Sequence, residues 1–209
     1  MRLTLAGSGS ACHVVRRSTF MALAAPVADA GMLNDWLAAL RALHPDARHC
    51  PYAWLAPDGA SKVSDDGEPS GTGGRPCLGA LVRAGVTGAS VAVARMFGGV
   101  LLGAGNLRRA YGVAATEAVA AAGTVHLCRW TQVHVEVGYE RLAAVERALE
   151  RVGAQDVERH YGAHATLRAR VPVAAWSALG PAVSQARWKC EGETWGRGPG
   201  NRGAGCPRQ

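Results

Sequence analysis

The chain has 209 residues, of which 48% are hydrophobic and 19% are charged, a globular composition that excludes a disordered or fibrous protein. Its formal net charge is +7, from 23 basic and 16 acidic side chains, and the excess is spread along the chain. Charge alone therefore allows a modest affinity for nucleic acid without arguing for it. No apolar run approaches the roughly 20 residues that a membrane span needs, so we expect no membrane partner.

The six cysteines are scattered singly, and no CxxC pair occurs. This excludes a zinc ribbon or a thioredoxin motif. Residues 1–15 have no continuous apolar core of the kind that a signal peptide carries. We therefore expect a cytoplasmic protein with reduced thiols.

The first half of the chain mixes strand and helix patterns. Apolar residues at helical spacing predict a helix from Asp29 to Leu43, with Asp29 as its cap and His44-Pro45 as its stop. An Ala-rich helix is predicted to start near Asn106 and to end at Gly123. The other elements predicted in this half are a strand-forming start at 13–26, a short strand within 49–57, a short helix at 77–84 and a strand at 89–97.

After about residue 127 the pattern changes to strand, helix, strand, strand, helix, strand. The predicted elements are strand 130–139, helix 140–152, strands 156–162 and 164–173, helix 173–186 and strand 186–194. This order is the split βαβ pattern. We therefore predict two domains, 1–127 and 128–195, followed by a disordered Gly/Arg/Pro-rich tail at 196–209.

The segment SDDGEPSGTGGRP, residues 64–76, places three carboxylates within four positions and interleaves them with Gly and Pro. No helix or central strand tolerates that density of Gly and Pro, so the segment is predicted to be a loop. We call it the acidic loop.

Three interpretations of the acidic loop remain open. In the first, slightly favoured, Asp65, Asp66 and Glu68 form a clasp of ion pairs with Arg75, Arg95 and Arg109. In the second, the arginines hold a phosphate backbone while the acids orient them. In the third, the three carboxylates hold Mg²⁺, which takes one or two carboxylates plus waters in proteins.

A second segment supports an anion-binding hypothesis. Gly98, Gly99, Gly103 and Gly105 lead into the Ala-rich helix. A helix N-terminus favours anions, yet Arg108 and Arg109 occupy the first turn, where a cation is disfavoured. A bound phosphate or the acidic loop would offset that cost. Because no G-K-[ST] follows the glycines, the segment is not a nucleotide P-loop.

These motifs resemble one known family. The acidic loop, followed by VAVARMFGGVLLGAGNLRRAY at 91–111 and preceded by DARHCPYAW at 46–54, resembles the IMPACT family in its bacterial form. The resemblance covers about residues 15–125, and the second half matches the family's usual C-terminal domain. Cys50, Gly73, Met96 and Asn106 depart from the family pattern.

The resemblance implies an α+β fold of two domains. The first would be a ribosomal-protein-like fold with a left-handed βαβ crossover. The second would be ferredoxin-like, similar to the fifth domain of elongation factor G.

The resemblance also implies a function in the regulation of translation. We expect a factor that binds RNA or the ribosome without catalysis, with a protein partner as a further option and with no cofactor and no DNA. The alternative is a Mg²⁺-dependent enzyme that acts on nucleotides or RNA through residues 65–68. The candidate groove residues are His49, Asp65, Asp66, Glu68, Ser70, Thr72, Arg75, Arg95, Gly98, Gly99, Gly103, Gly105, Arg108, Arg109 and Tyr111.

Overall fold

The structure, a computed structural model, describes residues 2–184 and 186–198. The chain divides into two compact units, one up to Leu127 and one from Cys128 onward. The elements that begin in unit 1 are β1 (Arg2–Leu5), β2 (Gly9–Val15), β3 (Ser18–Pro26), α1 (Ala30–Leu43), β4 (Tyr52–Leu55), β5 (Ser61–Ser64), α2 (Gly74–Arg83), β6 (Ala89–Met96), α3 (Ala104–Ala122) and β7 (Thr124–Val137).

The main sheet of unit 1 has the strand order β2-β3-β6-β4-β5, and every neighbouring pair is antiparallel. Because β3 and β4 both pair with β6, they run parallel to each other, and α1 connects them. The first residues of β7, from Thr124 to Leu127, pair with β1 instead. The unit is thus a mixed α+β structure built around one central strand, β6.

Strand β6 separates two apolar clusters. Val91 and Val93 lie in the core that α2 and α3 cover, whereas Ala92 and Ala94 pack with Leu40 of α1. Successive side chains of a strand point to opposite faces. Arg95, two residues after Val93, therefore faces the same side as α3, which sets the position of the site described below.

Several predicted boundaries shift in unit 1. Asp29 caps α1 as predicted, because its side chain accepts a hydrogen bond from the backbone N–H of Met32 at 2.9 Å. Helix α2 begins at Gly74, three residues before the predicted start, and α3 begins at Ala104 rather than near Asn106. Strands β1 and β5 had no counterpart in the prediction, and only residues 13–15 of β2 fell within the predicted strand-forming start.

Unit 2 follows the split βαβ order. After β7 its elements are α4 (Tyr139–Arg151), β8 (Gln155–Tyr161), β9 (Ala165–Pro172), a 3₁₀ turn (Val173–Ala175), α5 (Trp176–Val183) and β10 (Arg187–Arg197). The strands lie in the order β10-β7-β9-β8, which is the ferredoxin-like arrangement. Val133, Val135 and Leu149 are buried in its core. The predicted α+β fold of two domains is confirmed.

Strand β10 reaches Arg197, two residues into the segment predicted to be a disordered tail. The remainder of that prediction, from residue 199 on, lies outside the described residues. Within the described part of the chain, no helix combines the length and the apolar character that crossing a membrane requires.

Candidate functional site

Asp65 closes the acidic loop over the start of α2. Its carboxylate accepts hydrogen bonds from the backbone N–H groups of Gly71, Gly73 and Gly74 at 2.7, 3.0 and 2.8 Å. A Cβ at Gly73 would come within 2.5 Å of the Pro51 ring, so the close approach requires glycine. Although partial burial acts to raise it, these amide donors hold the pKa of Asp65 below its usual value. Asp65 is therefore an ionised cap of a helix N-terminus.

Asp66 joins the loop to the end of α1. Its carboxylate accepts one hydrogen bond from Arg41 Nη2 and another from the backbone N–H of Cys50, each at 2.7 Å. Its backbone oxygen lies 2.8 Å from His49 Nδ1. Burial acts to raise the pKa of Asp66, but Arg41 and the Cys50 amide outweigh it and lower that pKa. The clasp hypothesis named the wrong partner here, because Arg41 was not among its arginines.

Glu68 forms the most buried ion pair of the acidic loop. Its Oε1 accepts a hydrogen bond from Arg95 Nη1 at 2.7 Å and another from the Tyr111 hydroxyl at 2.8 Å. The Glu68 and Arg95 side chains are only 3% and 8% exposed. Burial, with the hydrogen bond to Glu68, raises the pKa of Tyr111. We call Glu68, Arg95 and Tyr111 the buried charge cluster; its ion pair is the one that the clasp hypothesis placed correctly.

These contacts bear on the magnesium hypothesis. Asp65 is directed to backbone amides, Asp66 to Arg41 and the Cys50 amide, and Glu68 to Arg95 and Tyr111. The carboxylates therefore do not converge on one point, and the described residues contain no cluster of three side chains suited to a metal ion. The physical reason is that a Gly-rich loop offers many N–H donors, and these compete with a cation for the carboxylate oxygens.

An open groove of about 740 Å³ lies between the acidic loop, α2 and α3. Three arginines line it: Arg75 and Arg83 from α2, and Arg108 from α3. Asp65 and Ser70 lie on the loop side. We call this surface the arginine groove; its lining residues are Val63, Asp65, Ser70, Gly71, Arg75, Pro76, Gly79, Arg83, Arg108 and Gly112.

Two arginines of the groove are held by polar contacts. Arg108 Nε donates to the backbone oxygen of Gly71 at 3.4 Å, a long hydrogen bond. Arg83 Nη2 donates to Thr116 Oγ1 at 3.0 Å. Neither contact neutralises the guanidinium charge. The arginine groove is therefore a cationic surface in which Asp65, itself near Arg75, is the acidic member.

The other predicted site residues lie outside the groove. Thr72 is buried, and its hydroxyl donates to the Pro69 oxygen at 2.6 Å. Arg109 is exposed and forms no ion pair with any residue that the structure describes, so its predicted role in the clasp is wrong. Besides Thr72 and Arg109, the predicted residues that neither line the groove nor join the buried charge cluster are His49, Asp66, Gly98, Gly99, Gly103 and Gly105.

Sequence reasoning missed three side chains of this region. Arg83 follows Arg75 by eight residues with Gly79 between them, a spacing that places all three on one helix face and was available as a signal. Arg41 lies 25 residues from Asp66, and Phe20, which packs edge-on against Tyr111 at 4.9 Å, lies still further from its partner. Sequence spacing carries no signal for such distant pairs.

Comparisons with known proteins place this site in a family. The model of the Impact N-terminal domain matches residues 16–119, which include the acidic loop and every arginine of the groove. IMPACT family member YigZ of Escherichia coli is 34% identical over 164 residues, which are 77% of this chain and 80% of YigZ. The chain belongs to the IMPACT family.

Two further comparisons agree with this membership. An IMPACT family member of Thermus thermophilus, named for the pol 5' region, is 42% identical over 137 residues, or 65% of this chain and 74% of that protein. The crystal structure of a hypothetical protein superposes with a TM-score of 0.68 at 28% identity, over 90% of this chain and 95% of that one. The two-domain fold is therefore shared over most of the chain.

Proposed function

We propose that this IMPACT family protein is a factor in translation that binds RNA or ribosomal particles without catalysis. The observation that carries the proposal is the arginine groove, whose guanidinium groups form no ion pair with the acidic loop beside them among the described residues. The link to translation comes from membership of the IMPACT family.

The distribution of charge along unit 1 supports a polyanionic partner. Residues 69–116 include five arginines and no aspartate or glutamate. One of the five, Arg95, is neutralised by Glu68 in the buried charge cluster. The other four, Arg75, Arg83, Arg108 and Arg109, are exposed. Arginine forks match phosphate oxygens in geometry, and phosphate contacts supply most of the sequence-independent affinity for nucleic acid.

The form of the groove favours a polymer over a small molecule. Pockets for small ligands are enclosed and lined mostly by apolar and aromatic side chains. The arginine groove is open, and its lining is dominated by arginine, glycine and short polar residues. A phosphate backbone running along α2 and α3 would contact Arg75, Arg83 and Arg108 in turn.

The acidic loop supports a role without catalysis. A nucleophile or general base needs a free, oriented side chain within reach of substrate. Asp65, Asp66 and Glu68 are each engaged by donors within the protein, and the Tyr111 hydroxyl is buried against Glu68. No observation on the described residues supports the Mg²⁺-dependent alternative, since the three carboxylates do not converge on one point.

Co-sedimentation with ribosomal particles tests the proposal. We expect the full chain to pellet with the particles, and we expect Arg75→Ala together with Arg108→Ala to abolish most of that binding. Arg48→Ala, at an exposed arginine outside the groove, is the matched control and should pellet like the wild type. Equal pelleting of both variants, or binding of the wild type to neither ribosomal particles nor purified RNA, would contradict the proposal.

A further inference from the structure

The segment between β6 and α3 exposes two large apolar side chains. Phe97 is 52% exposed and Leu101 is 85% exposed. Other large apolar side chains of unit 1 are exposed as well, among them Leu43 and Val82, but Phe97 is the one exposed aromatic ring among the residues that the structure describes in this unit. Phe97 lies outside both core clusters of the unit and is therefore accessible to a ligand.

The Phe97 ring contacts Arg95 of the buried charge cluster. The guanidinium carbon of Arg95 lies 5.4 Å from the centroid of the Phe97 ring and 5.7 Å from that of Phe20. Both distances are within the range of cation–π attraction. Arg95 is in turn fixed by Glu68, and its Nε has no hydrogen-bond partner among the described residues. The Phe97 ring therefore contacts a guanidinium group whose position is set by its ion pair with Glu68.

Two arginines, Arg16 and Arg17, lie close to the segment that follows Phe97. The backbone N–H of Gly98 donates to Ser18 Oγ at 3.1 Å, and a Cβ at Gly98 would lie 2.1 Å from the carbonyl carbon of Arg17. This contact places the tip of the β2–β3 hairpin, Arg16-Arg17, against the start of the Phe97 segment. Both arginines are exposed, and residues 1–28 contain no acidic residue.

We infer that Phe97 is a stacking platform for a base of single-stranded RNA, with Arg16 and Arg17 contacting the adjacent phosphates. Proteins that bind single strands combine a cationic track with aromatic rings on which bases stack. The exposed ring, its contact with Arg95 and the exposed arginines of the β2–β3 hairpin supply both parts. The inference rests on the proposed function and deepens it, because it names a strand with unpaired bases as the ligand.

Stacking distinguishes this ligand from two others. In duplex RNA the bases are already stacked on one another, so no base is free to stack on the Phe97 ring. Proteins contact the phosphates and 2′-hydroxyls of a duplex instead. A protein partner would use Phe97 and Leu101 as apolar area. Leucine would then replace phenylalanine at position 97 with little loss, whereas base stacking requires a flat ring.

The test uses the full chain and a single-stranded oligoadenylate of about 12 nucleotides, a length within the usual site size of such proteins. An abasic oligomer of the same length and a duplex serve as the comparison probes. The variants are Phe97→Ala, Phe97→Leu and Phe97→Tyr, and urea unfolding midpoints confirm that each is folded.

We expect Phe97→Ala and Phe97→Leu to weaken binding of the oligoadenylate by roughly 5- to 100-fold, and Phe97→Tyr to bind like the wild type. Binding of the abasic oligomer and of the duplex should be the same for all four proteins. A wild-type affinity in Phe97→Ala overturns the inference, and so does a wild-type affinity in Phe97→Leu, which would indicate an apolar docking surface.

Variants of the arginine groove distinguish a failure of the stacking inference from a failure of the proposed function. If Phe97→Ala binds like the wild type while Arg75→Ala with Arg108→Ala loses affinity, the stacking inference fails and RNA binding stands. If the wild type binds none of the three probes and no ribosomal particle, both fail together.

Discussion

The buried charge cluster and the arginine groove lie in the same unit and both depend on arginine, but they treat its charge in opposite ways. Arg95 is 8% exposed and shares a carboxylate oxygen with Tyr111. Arg75 and Arg108 are exposed and have no carboxylate bound to them by a hydrogen bond among the described residues. Burial and a carboxylate partner, rather than the residue type, therefore decide whether an arginine stabilises the fold or remains available to a ligand.

Asp65 lies where the two regions meet. It lines the arginine groove, yet its carboxylate oxygens are directed to the amides of Gly71, Gly73 and Gly74. Its charge therefore serves mainly to cap α2. Because backbone amides engage the carboxylate oxygens of Asp65, it forms no ion pair with a groove arginine among the described residues.

The largest expected effect is on the buried charge cluster. We expect Glu68→Gln to lower the free energy of unfolding by about 3–5 kcal/mol, because it leaves the buried charge of Arg95 without its counter-charge. Urea unfolding of the full chain measures this loss. Glu117→Gln, at an exposed glutamate of α3, is the matched control and should change the free energy by less than about 0.5 kcal/mol.

A second variant sharpens that result. Adding Arg95→Met to Glu68→Gln removes the unpaired charge, so the double variant should be more stable than Glu68→Gln alone. If the two losses simply add, Arg95 and Glu68 do not act as a pair, and the first half of the comparison is wrong.

The next effect is at the cap of α2. Asp65→Asn should lower the free energy of unfolding by about 1.5–3 kcal/mol, because hydrogen bonds to a charged acceptor are replaced by weaker ones to an amide oxygen. Asp46→Asn, at an exposed aspartate after α1, is the control. Equal stability of these two variants would show that the carboxylate of Asp65 does not cap the helix.

The lowered pKa values of Asp65 and Asp66 predict a loss of stability in acid. A carboxyl group whose pKa is lower in the folded state stabilises the fold fully above its unfolded value, usually 3.8, and this stability is lost as pH falls through the folded value. The free energy of unfolding should thus decrease from about pH 4 downward. Asp65→Asn should flatten this decrease; an unchanged slope would contradict the assignment.

The sequence predicted the elements with long apolar patterns. Helix α1 and its cap Asp29 carried a clear helical period, and the alternating valines of β7 identified the sheet of unit 2. Strands β1 and β5 and the first part of β2 were missed. Strand β5, SKVS, is mostly exposed, so it is held by backbone pairing and its sequence carries no apolar face.

Some contacts of the site were predicted from the sequence and others were not. The sequence indicated that the acidic loop was structurally important, and it named the Glu68–Arg95 pair among the possible ones. It could not indicate that Asp66 would pair with Arg41, or that Arg109 would stay exposed, because such partners are set by tertiary packing. Adjacent helical residues point about 100° apart, so of Arg108 and Arg109 only one could face the acidic loop.

The smallest expected effects on stability are those in the groove. Arg75→Ala, Arg108→Ala and Arg109→Ala should each change the free energy of unfolding by less than about 0.5 kcal/mol, because these side chains are exposed. Thermal unfolding at neutral pH measures the change. A loss above about 1.5 kcal/mol for Arg108 would place it in a structural ion pair and remove the contrast with Arg95.

The contrast between neutralised and available arginines is tested most directly by the salt dependence of binding. The slope of log affinity against log salt for a single-stranded oligonucleotide reports how many phosphates the protein neutralises. Relative to the wild type, Arg75→Ala with Arg108→Ala should make this slope shallower by about 1.4, while Arg48→Ala should lower it by less than half as much. An unchanged slope in the double variant would contradict the account, because the groove would then contribute no charge to RNA binding.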